Sequence, residues 1–424
     1  MFREFDYDNK PVVEIVDEML QDALKNGASD IHFDPTPDIL NVRFRVDGEL
    51  REYAKVPASV KKNLLTRIKI ISGMNITETR LPQDGAIKNL DSVDVDMRVS
   101  SLPIVDGEKI VIRLLDYSKS MEGLETLNFT DDNLEKIMKA IHTPNGIILV
   151  AGATGTGKST TVYGILQKLN DVKRNIITVE DPVEMKIPGI NQVQVMSEIG
   201  LTFSNTLRSI LRQDPDTIMI GEIRDDETAR IAVRASITGH LVLSTIHTNN
   251  SLTTIERLLD MEVERYLLGS ALTMVISQRL CKKLCPICRE KISTTPYQKN
   301  VFKKVLGLDV EAIYEPKGCS KCFDGYRGRV AIQEVLLINQ EIRDAIMNNL
   351  KKSELRNLVY SEENVQTLLQ DGLKKVINGL TSFEQILTAI DISEDIDQDD
   401  VELRKAIIGN YNENAEIESD IEML

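Results

Sequence analysis

The chain has 424 residues, 28% charged and 42% hydrophobic, enough for two or three soluble domains with separate cores. Trp is absent and aromatic residues make up only 4%, which argues against base-stacking platforms for nucleic acid. The net charge is −15, but twelve acidic and two basic residues fall within 391–424, so the rest of the chain is nearly balanced and carries no basic stripe.

Residues 1–115 read as a small N-terminal α+β domain. Pro11 marks a helix start, and Val12, Ile15, Val16, Met19, Leu20 and Ala23 recur at helical spacing up to Gly27. Residues 31–33 and 39–46 read as strands, with a tight turn at Asp47-Gly48. A second helix is predicted over 57–71, stopped by Gly73, with strands following at 93–100 and 109–115. Residues 116–130 are rich in turn formers, lack periodicity and read as a linker.

From 131 to 390, helices alternate with short apolar strands at 147–150, 176–179, 218–220 and 241–245. Such alternation builds a mostly parallel sheet with helices on both faces, and functional residues gather at the C-terminal ends of its strands. Residues 281–330 read as a cysteine-bearing insert. Residues 340–390 read as helical, with Leu368, Leu369, Leu373 and Val376 as a buried stripe. Residues 391–424 form an acidic tail, solvated or partly disordered, with room for a short helix at 402–408. No apolar run is long enough to span a bilayer, and MFREFDYDNK lacks a signal-peptide core. The expectation is a cytoplasmic protein that reaches membranes only through a partner.

The most informative segment is Gly152-Ala153-Thr154-Gly155-Thr156-Gly157-Lys158-Ser159, a G-x-x-x-x-G-K-S phosphate loop. It follows a buried-strand pattern and opens, through Thr160, into a helix pattern, which is the context such a loop requires. Its glycines let backbone N–H groups turn toward phosphate oxygens at a helix N-terminus. Lys158 is expected to reach the β- and γ-phosphates of ATP and the Ser159 hydroxyl to hold Mg²⁺. Hydrolysis also needs acids near the γ-phosphate. Glu222, after the strand at 218–220, is the first choice to orient water, and Glu184, after the strand at 176–179, the second, holding metal through water. His240 and His247 bracket the strand at 241–245, so either is a candidate to meet the γ-phosphate or a neighbouring subunit.

Cys285-Pro286-Ile287-Cys288 and Cys319-Ser320-Lys321-Cys322 are two C-x-x-C knuckles separated by thirty residues. Together they offer four thiolates to one tetrahedral Zn²⁺, a closed set whose role is structural. Cys281 is the fifth cysteine, read as a buried bystander.

The chain resembles the secretion ATPases that drive type II secretion and type IV pilus assembly. GATGTGKSTTVYG, ITVEDPVE, LRSILRQDPDTIMIGEIRD and TGHLVLSTIHTNNS stand where that family has its Walker A, Asp-box, Walker B and His-box motifs. The first domain matches through GASDIHFDP, VRFRVDG, RIKIISGMNI, RLPQDG and DMRVSSLPIVDGEKIVIRLL, so the resemblance runs from about 11 to 390. It implies a RecA-like P-loop ATPase domain behind the small α+β domain, in a homohexameric ring with nucleotide between the two domains. It adds catalytic weight to Glu184, Glu222, His240 and His247. It also implies that arginines reach phosphates across a domain or subunit boundary, with Arg98 and Arg113 favoured over Arg208, Arg212, Arg224 and Arg329. The tetracysteine insert points to the assembly branch of the family. The implied partners are a polytopic inner-membrane platform protein and, indirectly, pilins or pseudopilins. Many relatives carry a further N-terminal domain that binds a membrane-anchored adaptor, and the resemblance does not carry that mode of recruitment over to this chain.

Overall fold

The computed structural model describes residues 2–88, 95–115, 123–361, 365–391, 395–396 and 401–408. The chain divides into two compact units, Met1–Lys119 and Ser120–Leu424. No helix among the described residues is long and apolar enough to cross a membrane.

The first unit is an antiparallel sheet backed by two helices. Strands β1 (Ala28–Pro35), β2 (Ile39–Val46), β3 (Glu49–Pro57), β4 (Gln83–Ile87), β5 (Met97–Ile104) and β6 (Gly107–Leu114) lie in the order β3-β2-β1-β6-β5-β4. Helices α1 (Val12–Lys25) and α2 (Ala58–Ile71) supply Ile15, Met19, Leu64 and Ile68 to a core shared with Ile31, Phe33, Val42, Phe44 and Ile112. Alternation along the strands puts these residues on one face and leaves charged residues on the other. Asp47 and Gly48, at φ 53° and 95°, turn β2 into β3 with both central residues in the left-handed region, the twist a two-residue hairpin prefers. Strand β4 is polar and short, and sequence pattern gave no sign of it. It forms the edge beside β5.

The second unit holds a seven-stranded sheet of β7 (Gly146–Ala151), β8 (Ile176–Glu180), β9 (Asn191–Gln194), β10 (Thr217–Ile220), β11 (Leu241–Ile246), β12 (Leu272–Leu284) and β15 (Tyr326–Leu337). The order is β15-β12-β7-β11-β10-β8-β9, parallel throughout except for β15 against β12. β7, β8, β10 and β11 are buried at every position, as strands covered on both faces must be. Ile148 and Val150 face a core with α3 (Asp131–Ile141) and α4 (Lys158–Leu169). Ile147, Leu149 and Ala151 face the opposite core with α5 (Phe203–Ile210), α6 (Asp226–Ile237), α7 (Ser251–Asp260), α8 (Arg265–Ala271), α10 (Gln340–Met347) and α11 (Lys352–Val359).

Between β12 and β15 the chain leaves the sheet to form a small hairpin of β13 (Glu290–Ser293) and β14 (Ala312–Glu315) with α9 (Pro296–Leu306) between them. A further core joins α9 to α12 (Leu368–Ile377), α13 (Phe383–Ala389) and α14 (Val401–Ile408), and includes the expected stripe Leu368, Leu369, Leu373 and Val376.

Three features depart from the sequence-based expectation. Residues 123–130 are not linker: Leu124 is 1% exposed and packs against α4 where Gly164 makes room for it. The acidic tail is built into the fold at its start, because Ile396 and Ile407 are each 3% exposed in the core around α9. The insert is narrower than 281–330, since β12 and β15 run through both of its expected ends as one antiparallel pair.

Buried charge ties α12 to β15. Lys375 Nζ donates to Asp371 Oδ2 at 2.7 Å, to Gln333 Oε1 at 3.0 Å and to the Ala331 carbonyl at 2.6 Å, with both ionic side chains at or below 5% exposure. Removing one partner strands the other charge in a dry interior. Asp371→Ala should therefore lower the unfolding free energy by about 3–5 kcal/mol, whereas Glu311→Ala, which breaks the exposed Lys299–Glu311 pair, should leave it unchanged within error. Chemical denaturation of the two variants beside the parent checks the contrast.

Candidate functional site

At Ala151 the buried strand β7 ends, and seven residues later α4 begins at Lys158. The connecting turn needs backbone conformations that side chains resist. Gly152, Gly155 and Gly157 stand at φ 152°, 81° and 88°. A Cβ on Gly152 would lie 2.4 Å from Thr156 Oγ1 and 2.7 Å from the Gln278 carbonyl oxygen, so only glycine fits. The Thr156 hydroxyl donates to the Ala153 carbonyl at 3.0 Å. Lys158 is 9% exposed and curls back over the loop, its Nζ donating to the carbonyls of Gly152 at 2.8 Å and Ala153 at 2.9 Å. Burial pushes its pKa below the ordinary lysine value, and the Glu222 charge opposes that shift.

A cleft of about 480 Å³ opens over this turn. Thr154, Gly155, Gly157, Lys158, Ser159 and Thr160 line it, while Gly152, Ala153 and Thr156 shape the loop behind them. The parallel strands then deliver acids to the same rim. β10 ends at Ile220, and Gly221 lets Glu222 into the cleft. Its carboxylate pairs with the Arg224 guanidinium and lies 3.3 Å from His247 Nε2, at the far end of β11. Glu184 also lines the cleft, beyond β8, and its N–H donates to the Tyr163 hydroxyl at 3.2 Å.

His240 is not part of this cluster. It precedes β11 whereas His247 follows it, and a six-residue strand separates such ends by roughly 20 Å. Its Nδ1 lies 2.9 Å from the Ala235 carbonyl in the last turn of α6, at the other end of β11. Of the two histidines, only His247 meets this chain's own cleft. Arg224 and Arg329 line the cleft, whereas Arg208 is spent on Glu227. Arg98 and Arg113 belong to the first unit, where they are direct cross-strand partners on β5 and β6, and Arg113 Nε donates to Asp30 Oδ1 at 2.9 Å.

Two residues that motif reading passed over hold the cleft in shape. Gln278 on β12 is 2% exposed; its Nε2 donates to the Thr156 carbonyl at 2.8 Å and its Oε1 accepts from the Thr161 hydroxyl at 2.7 Å, which pins the loop to the first turn of α4. Glu180, 3% exposed at the end of β8, accepts from Tyr163 and Thr178 hydroxyls, both at 2.5 Å, and from Gln192 Nε2 at 3.1 Å. Burial and the Glu180 charge push the Tyr163 phenol pKa up, so the hydroxyl stays a donor. Nothing in a single sequence distinguishes Glu180 from Glu184; only the strand's endpoint does.

The loop fits a polyphosphate. Its glycines clear the space a Cβ would fill, and helix α4 opens onto the cleft with first-turn N–H groups that have no partner one turn back. Among the described residues Lys158 Nζ donates to carbonyl oxygens, which a phosphate would replace with a stronger partner. The oxygen donors that Ser159 and Glu184 offer at the cleft would suit Mg²⁺, a hard cation.

The four cysteines also come together. Cys285, Cys288, Cys319 and Cys322 place all their Sγ atoms within 4.8 Å of one another, with Cys288–Cys322 and Cys319–Cys322 at 3.5 Å. A tetrahedral Zn²⁺ with bonds near 2.3 Å sets its sulfurs about 3.8 Å apart, so the cluster fits such an ion with little adjustment. The Cys319 N–H donates to Cys322 Sγ at 3.2 Å. Cys281 stays apart, buried in the α9 core, where burial pushes its thiol up to about 12.

Residues 6–388 match the family model described as "Type II/IV secretion system protein". The chain is 44% identical to type II secretion system protein E of Dickeya dadantii over 382 residues, covering 90% of this chain and 76% of that one. It is 43% identical to type II secretion system ATPase E of Vibrio cholerae over 384 residues, again 90% of this chain and 75% of that one. Among solved structures, the pilus retraction motor PilT with bound ADP aligns at TM-score 0.62 and 26% identity, over 91% of this chain and 98% of the other. The Legionella pneumophila ATPase DotB aligns at TM-score 0.66 and 23% identity over 90% and 96%, a likeness of fold. With a glycine loop, strand-end acids and a RecA-like strand order all in place, the chain is a P-loop ATP hydrolase that belongs to the type II/IV secretion system protein family.

Proposed function

We propose that this chain is a cytoplasmic, Mg²⁺-dependent homohexameric ATPase that powers assembly of a type IV pilus or of a type II secretion pseudopilus. Hydrolysis drives motion of the first unit against the second, and a polytopic inner-membrane platform protein receives that motion and moves pilins or pseudopilins. The convergence of Lys158, Ser159, Glu222 and His247 on one cleft carries this reading. Membership in the secretion family supports the choice of machine, and the four-cysteine cluster supports the assembly branch.

The residues divide the work as follows. Lys158 gives up the Gly152 and Ala153 carbonyls and donates to β- and γ-phosphate oxygens, while the loop's N–H groups hold the same oxygens from below. Glu222 orients and polarises the attacking water, and His247 beside it fixes the carboxylate's direction. Ser159, and Glu184 through water, would hold Mg²⁺, which would supply positive charge to the phosphates. Gln278 and Tyr163 keep the two sides of the cleft at their spacing. Arg98 and Arg113 complete the site from a first unit when the ring closes, each guanidinium neutralising charge on the phosphoryl group in flight. The family resemblance supports that assignment, and the two arginines stand directly opposite one another on β5 and β6. His240 has no part in its own chain's cleft.

Steady-state phosphate release in Mg²⁺ and ATP tests the reading. Glu222→Gln should bind nucleotide about as well as the parent yet turn it over at least about 100-fold more slowly, since the water-orienting acid is gone while the phosphate cradle remains. Lys158→Ala should lose both binding and turnover. Turnover unchanged in both variants would refute the ATPase mechanism. Elemental analysis should find close to one zinc per chain. Cys285→Ser should lose that zinc and melt several degrees lower while its affinity for nucleotide stays the same; a metal-free parent of full stability would contradict the structural zinc.

A further inference from the structure

Strand β12 bears on two things at once. Side chains alternate between faces along a strand. Gln278 faces the phosphate loop and braces it through Thr156 and Thr161. Arg279, the next residue, faces away and gathers three segments. Its Nη1 and Nη2 donate to Asp395 Oδ2 at 2.7 Å and Oδ1 at 2.9 Å, a two-pronged ion pair with the Asp395 side chain only 5% exposed. Nη1 also donates to the Ala389 carbonyl that ends α13, and Nη2 reaches the Asn249 carbonyl at 3.4 Å, two residues beyond His247. Asp395 lies outside the 6–388 range matched by the family, so this contact belongs to the chain's own C-terminal segment.

That segment is anchored at its other end as well. Ile407 is buried against α9, and its carbonyl accepts from the Tyr297 hydroxyl at 2.9 Å. Arg404 Nη2 donates to the Ile396 carbonyl at 2.8 Å, which closes the segment on itself. None of its described residues lines the cleft. Its ties run to the strand and the loop that shape the cleft from behind.

We propose that Gln278 and Arg279 are a positioning pair which couples nucleotide binding to docking of the C-terminal segment around Asp395 and α14. With the segment docked, β12 is fixed, Gln278 holds Thr156, and the loop keeps its phosphate-ready shape. With the segment released, Arg279 loses its buried counter-charge, β12 relaxes, and the loop binds phosphates less well. Linkage makes the effect reciprocal: nucleotide in the cleft must hold the segment down by the same factor. A partner that captures the acidic C-terminal region would thereby weaken the motor's hold on nucleotide.

The proposal rests on the ATPase reading, and one experiment separates their failures. ADP affinity, and KM and kcat for ATP, are measured for the full chain, Asp395→Asn and Tyr297→Phe. Amide exchange across 401–408 is followed in the parent with and without saturating ADP. Asp395→Asn should weaken ADP binding about five-fold and raise KM by a similar factor with kcat little changed, the low end of ordinary coupling strengths. Tyr297→Phe, which loosens the segment from the α9 end without touching β12, should shift affinity in the same direction by less. ADP should slow exchange across 401–408. A parent that binds ADP while both variants bind it equally well, with exchange indifferent to ADP, overturns the coupling alone. A parent that binds no nucleotide overturns the ATPase reading and the coupling with it.

Discussion

The handover from β7 to α4 governs the rest of the second unit. A turn that aims backbone N–H groups at one point needs positive φ at Gly152, Gly155 and Gly157, which no packed side chain enforces. The conformation survives because its surroundings over-determine it. β7 is wholly buried between β12 and β11, Gln278 bridges the loop to the helix, and Lys158 satisfies the inward carbonyls. The sheet order follows from the same need. With β7 near the middle, the ends of β8, β10 and β11 fan out on one side of the loop, and each contributes a residue to the rim. A strained turn is thus held by a rigid sheet, and the charges that act on a phosphate arrive from separate strands without crowding one another.

The cysteine cluster and the buried Lys375–Asp371 pair lie far from that turn in sequence. Both bear on the β12–β15 pair. The cysteines close the excursion between the two strands, and Lys375 reaches the carbonyl of Ala331 on β15. Since Gln278 sits on β12 and Arg329 on β15, anything that fixes this strand pair also fixes one wall of the cleft. An insert remote from the chemistry therefore matters to it mechanically.

Much of this was legible in the residues. The phosphate loop is recognisable because its function demands particular residue types at fixed spacing, and its four core strands because burial on both faces leaves unbroken apolar runs. Glu222 and Glu184 follow apolar runs that read as strands, and the two C-x-x-C knuckles show in their spacing alone. What stayed hidden lacked local pattern. β4 is polar and short. β12 carries Gln278, Arg279 and two lysines among its apolar residues, so its length appears only when β15 pairs with it. The separate fates of His240 and His247 depend on which end of β11 points toward the loop, a matter of topology and not of composition. Leu124, Ile396 and Ile407 sit in segments rich in turn-forming or acidic residues, and their burial is decided by distant partners that no window of neighbours contains.

The account stands or falls on whether the turn at Gly152–Lys158 grips phosphates. Comparing the affinity of the purified chain for ATP, ADP and AMP isolates that grip, because the three share a base and a ribose and differ only in the groups the loop is shaped to hold. The structure predicts that ATP and ADP bind with similar strength and that AMP, which lacks the β-phosphate, binds at least about ten-fold more weakly, a loss of one charge-assisted contact set. Equal affinity for all three would mean that the loop is not the element that holds nucleotide.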